Sequence, residues 1–203
     1  MMPGKMRFAV LMLSCTLLGG CTRSPPPRNF PGYSKVSCEL PGATRRVSPQ
    51  EYFSRQAQAL QQSIQALRED VDEGEAALLA DVALRLSLKL RERYGASASP
   101  LMHNVMVNVG LKERGLCHHW TKDLVTQLRK LDLQTLELYW SIAHPWEYFR
   151  EHSAVVVGAK GAPFEQGLVL DAWRHSGCLY WAPVAMDKYP WRNAIQYSTA
   201  AVP

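Results

Sequence analysis

A thiol can act as a nucleophile when three conditions meet. It must ionise below its ordinary range, an imidazole beside it must carry protons, and an acid must orient that ring. This chain holds candidates for all three: Cys117 in "GLCHHWTKDL", His152 opening "HSAVVVG", and Asp171 in "LVLDAW". Trp120, Leu124, Leu128 and Leu131 form a helical apolar stripe, and stepping it back by one turn reaches Cys117. The thiol is therefore expected on the inward face of a first helical turn, where backbone N–H groups lack partners and the dipole is positive. His152 and Asp171 fall in consecutive strand-like runs, so a hairpin through "KGAPFEQG" would set them side by side on one face. The Cys117 helix would pack against that face.

Other histidines compete for the thiol. Successive helical residues point about 100° apart, so only one of His118 and His119 can join Cys117. His119 is expected to face the groove and His118 to face solvent. His144, in "HPWEYFR", borders the expected substrate cleft with Trp146 and Tyr148 as its aromatic walls. A zinc site from Cys117, His119 and His152 has no CxxC or HExxH spacing behind it, and neither a metal nor a cofactor is implied.

The elements that must position these groups come in two blocks. "SPQE", residues 48–51, has the form of a capping box and opens a helix carrying Tyr52, Phe53, Leu60, Ile64, Leu67 and Val71. Gly74 should interrupt it. A second helix is expected from about Glu75 to Tyr94 with Leu78, Val82, Leu86 and Leu90 inward, and Gly95 stops it. Ser99-Pro100 starts a shorter helix whose apolar residues, Leu101 to Val109, read as core. After Asp132, short β-branched and aromatic runs predict strands. Helices followed by an antiparallel sheet make an α+β domain.

The order and setting of "GLCHHW", "EHSAVVVG" and "VLDAWR" resemble the transglutaminase-like and related papain-like cysteine peptidases, over roughly Leu101–Val184. The resemblance implies that fold, with the nucleophile at the N-terminus of a central helix. It implies Cys117 as nucleophile, His152 as general base and acid, and Asp171 as orienter. It also implies a peptide or amide substrate that is cleaved or transferred. An oxyanion donor is needed; the Cys117 N–H and Asn108 are the candidates. The reading from another class is a non-catalytic lipoprotein using this fold as a binding or scaffolding module.

The N-terminus carries a basic start at Lys5 and Arg7, an apolar run from Phe8 to Leu18, and then "LLGGC" ending at Cys21. The run is too short to span a bilayer. The segment looks like a bacterial lipoprotein signal peptide, residues 1–20, with Cys21 acylated and bound to membrane. Thr22 follows where an aspartate favours inner-membrane retention in such proteins, so the expected place is the outer membrane, facing the periplasm. Residues 21–47 read as a lipid anchor and Pro-rich tether, and 48–203 as the catalytic domain. Losing Lys5 and Arg7 takes the net charge from +5 to +3, which gives no ground for nucleic-acid binding. With Cys15 removed and Cys21 acylated, three cysteines remain. If Cys117 stays free, the pair left over is Cys38 with Cys178.

Overall fold

The computed structural model describes residues 49–96, 99–147 and 149–195. The signal peptide, Cys21, Cys38, the tether, the Ser48 cap and Tyr148 lie outside the described residues. Helices α1 (Pro49–Gln65), α2 (Glu73–Tyr94), α3 (Pro100–Asn108) and α4 (Cys117–Leu128) precede β1 (Leu136–Ala143), β2 (His152–Ala159), β3 (Leu168–Asp171), β4 (Tyr180–Pro183) and β5 (Arg192–Asn193). The strands form one antiparallel sheet in the order β4-β3-β2-β1-β5. No described helix is long and apolar enough to cross a membrane.

Local chemistry explains where the helices differ from expectation. Asp72 caps α2 by accepting from the Glu75 N–H at 2.8 Å, so Gly74 sits inside the first turn rather than breaking the chain. The buried face of α2 is Ala76, Leu79, Ala80, Ala83, Leu84, Ser87, Leu90 and Tyr94, while Leu78 is exposed. Small residues on that face let other backbone approach: Gly177, at φ 97°, lies so near that a Cβ would stand 3.0 Å from the Ser87 carbonyl. Helix α3 overturns the core reading of its apolar residues. Leu101, Met102, Val105 and Val109 are exposed, and its one buried residue is His103. That ring bonds the Arg114 carbonyl at 2.9 Å and so ties α3 to the loop before Cys117.

Two cores sandwich the sheet. Val155, Val157, Leu168 and Leu170 pack with α1, α2 and α4 around Leu79, Trp120, Leu124 and Leu128. Ala154, Val156 and Val169 face the other way, against Phe164, Val184 and Trp191. Because side chains alternate along a strand, His152 and Asp171 belong with Ala154 and Val169, on the face turned away from α4. The expectation that α4 packs on the face carrying His152 is therefore wrong. A mid-strand histidine on that face could never reach the helix. His152 is the first residue of β2 and Cys117 the first of α4, and from the end of the strand the imidazole lowers the thiol's pKa.

Candidate active site

The loop leading into Cys117 is built around Gly115. Its φ is 130°, and a Cβ there would stand 2.1 Å from His103 Nε2, so only glycine fits. Helix α4 has Leu116 at its N-cap, with no side-chain cap of its own. The place of a cap is taken from the other direction: His119 Nδ1 accepts from the N–H groups of Gly115 at 3.1 Å and Leu116 at 3.3 Å. Trp120 Nε1 donates to the Gly115 carbonyl at 2.9 Å and stacks edge-on against Tyr94, with ring centres 4.8 Å apart. Tyr94 and Arg114 both bond Asp123, at 2.7 and 2.9 Å. Cys117 thus starts a helix whose approach is held on every side.

His119 is accordingly a structural acceptor turned to the backbone. Burial, with the nearby His118 and Arg114, holds its pKa down at about 4, so it stays neutral. His118 is exposed, as expected, yet it is among the groups that lower the thiol's pKa, and its ring lies 4.2 Å from the His119 ring. Of the two, His119 is turned away to the backbone, and His118 is the one that bears on the ionisation of Cys117.

Cys117 is half-buried and free. Burial pushes its thiol up; hydrogen bonds from His118 and His152, the charge of His152 and the Ser153 N–H outweigh that and bring it to about 6. His152 is 3% exposed and its Nε2 meets Asp171 Oδ2 at 2.7 Å, leaving Nδ1 as its only other ring nitrogen. Burial lowers this imidazole; the charge and hydrogen bond of Asp171, and then Cys117, raise it to about 9. Between those values the pair is a thiolate beside an imidazolium. The rings of Trp173, Tyr189 and Trp191 lie 4.7, 4.9 and 5.3 Å from the His152 ring and offer π-faces to its charge.

Asp171 is fully buried. Burial alone would raise its carboxyl, but His152 and Arg174 hold it well below the usual carboxylate range. Its Oδ1 accepts the N–H groups of Trp173 and Arg174 at 3.1 and 3.0 Å, which starts the turn after β3. Its Oδ2 takes Arg174 Nε at 2.9 Å in addition to His152. Arg174 and its second partner Asp187 were missed in the sequence. The only signal was an arginine three residues after the acid, and that spacing carries no rule outside a helix.

The remaining residues divide. Asn108 is exposed at the end of α3; it is Asn104, one turn earlier, that reaches the site, accepting Trp173 Nε1 at 3.0 Å. His144 has φ 49° in the β1–β2 turn, bonds Glu147 at 3.3 Å, and lies 6.4 Å from the Tyr189 ring at the rim. Trp146, at φ 72°, is 77% exposed, and Phe149 is 96% exposed. The turn bearing them runs directly into His152, so they stand at the same end of the sheet as the thiol. Cys178 is disulfide-bonded and Cys117 is free; Cys38, expected as the partner of Cys178, lies outside the described residues. Among the described residues there is no group of three or more metal-ligating side chains placed to hold an ion. No family model, curated protein or solved structure matches this chain.

Proposed function

We propose that this chain is a membrane-anchored envelope thiol enzyme that cleaves or transfers amide bonds, with a transglutaminase-like arrangement of its catalytic domain. The observation that carries the reading is the free Cys117 at the start of α4, its pKa lowered by His118 and by a buried His152 that Asp171 holds at 2.7 Å. The thiolate attacks the carbonyl carbon. The Cys117 N–H, at a helix start where such groups have no helical partner, receives the developing oxyanion. The C–N bond breaks as the amine takes the proton of His152, leaving a thioester. Water or a second amine then attacks, gives its proton to His152 and expels the thiolate, which restores the ion pair. No cofactor enters. Lipidation of Cys21 would hold the domain at the periplasmic face of the outer membrane.

Para-nitrophenyl acetate tests the chemistry without knowledge of the natural substrate. The expected result is a burst of nitrophenolate with an acetyl adduct on Cys117 that then decays, faster when an amine is added if transfer is favoured. An adduct that forms no faster than on a small free thiol, or that forms unchanged in His152→Ala, defeats the reading. The anchor is tested by Cys21→Ser, which should leave the membrane fraction; a processed chain that stays there refutes it.

A further inference from the structure

The three reacting groups leave unexplained a second charged pair buried directly behind them. Arg174 Nε bonds Asp171 Oδ2, the oxygen that also takes His152 Nε2. The other two guanidinium nitrogens go to Asp187, at 3.0 and 2.7 Å. Tyr180 and Tyr189 lie against the guanidinium at 3.9 and 4.9 Å. Asp187 has no exposed side-chain area, and it also accepts Trp191 Nε1 at 3.0 Å and the Tyr189 N–H at 3.4 Å. Trp191 and Tyr189 are two of the three rings on His152. Stability alone is a weak reason to bury such a pair, because desolvation offsets most of the attraction.

We propose that Arg174 and Asp187 are positioning residues that set how tightly His152 holds its proton. This rests on the reading of Cys117, His152 and Asp171 as the reacting set; both new residues reach the ring through Asp171 and the rings around it. Arg174 shares the oxygen that orients the imidazolium, and its charge opposes the ring's charge through that oxygen. Asp187 offsets Arg174 and seats two of the rings around His152. The other charged or titratable groups near His152 are Cys117 and His118 on α4, His175 after Asp171, Lys188 and Tyr189 before β5, and His144 at the far side of Tyr189. None of these stands between Arg174 and Asp171.

The signs follow from charge. Removing Arg174 leaves Asp171 to serve His152 alone, so the ring's pKa rises. Removing the charge of Asp187 leaves Arg174 uncompensated, so it falls. A unit charge about 5 Å away at an effective dielectric near 20, partly offset by its partner, moves the ring by about one pH unit. A merely structural role would disturb the site in both variants and give no reason for opposite shifts.

The experiment is an NMR titration of histidine labelled at Cε1, in the full chain, with His152 assigned by His152→Gln. Arg174→Gln should raise the His152 midpoint by about one unit, Asp187→Asn should lower it by about one unit, and the double variant should return close to the parent. Arg174→Lys keeps the charge and should stay within about half a unit, which preserves the test if the neutral variants do not fold. Shifts in the same direction, no shift, or a lysine variant that moves as far as glutamine overturn the proposal. A parent His152 that titrates like a free imidazole instead removes the triad reading on which it rests.

Discussion

Asp171→Asn removes one charge from a site organised around it. The carboxylate accepts four hydrogen bonds, from His152 Nε2, Arg174 Nε and the N–H groups of Trp173 and Arg174. Asparagine can keep the two backbone bonds, but its amide NH2 then faces two donors. His152 stands at about 9 against an ordinary 6.5, a difference of about 2.5 units or about 3 kcal/mol, and Asp171 is the largest cause raising it. Both groups are buried, so solvent screens little of this. A raised pKa contributes stability that is full below the unfolded value near 6.5 and is lost as pH rises through about 9. The depressed Asp171 contributes above its unfolded value, near 4. The deficit of the variant should therefore be largest between about pH 4 and 6.5 and shrink toward pH 10, with a remainder from the contact to Arg174. Urea melts at pH 5.5 and 9.5 measure it, with both forms carrying Cys117→Ala so that the thiol does not titrate. A loss at pH 5.5 exceeding that at 9.5 by about 2–3 kcal/mol is expected. A loss equal at both pH values would refute the assignment of Asp171 as the source of the His152 shift.

Gly115→Ala should cost about 3–5 kcal/mol in a thermal or urea melt, because the new Cβ displaces the buried His103 ring and the backbone sits at φ 130°; a loss under about 1 kcal/mol would contradict the close approach. Trp146→Ala and Phe149→Ala should leave stability within about 0.5 kcal/mol, since both are exposed, and should raise the KM for a peptide substrate rather than lower kcat; an unchanged KM removes them from the cleft. Ser153 Oγ is buried without a hydrogen-bond partner among the described residues, so Ser153→Ala should be neutral or slightly stabilising in the same melts; a loss above about 1 kcal/mol would contradict this.

The sequence located the start of α4 because an apolar stripe at helical spacing needs only local periodicity, and it located β2 and β3 because their runs are β-branched. Which groups share a strand face was also readable, as His152 and Asp171 do. What periodicity cannot encode is the docking of the helix on the sheet: α4 lies against Val155 and Val157, and His152 bears on Cys117 only from the strand's end. The same limit explains α2 and α3. An apolar stripe marks a face: on α2 Leu90 is buried as read and Val82 and Leu86 pack partly on the core, but Leu78 is outside and Leu79, Leu84, the alanines and Ser87 hold the rest of the inner side, while the stripe of α3 was left outside and His103 turned in. His119 turned from the groove because a backbone N–H pair claimed its ring, a competition invisible without the loop geometry. Arg174 and Asp187 are brought together by two turns and a 3-10 segment, and no spacing announces such a meeting.

The ionisation of Cys117 in the folded protein tests the central claim most directly. Its rate of alkylation by iodoacetamide, followed by intact mass from pH 4 to 10, should rise with a midpoint near 6 in the parent and stay high through neutrality. In His152→Ala the midpoint should move up beyond 8, because burial then acts with one imidazole fewer to oppose it. A parent midpoint between about 8 and 9, the range of an ordinary thiol, would contradict the account.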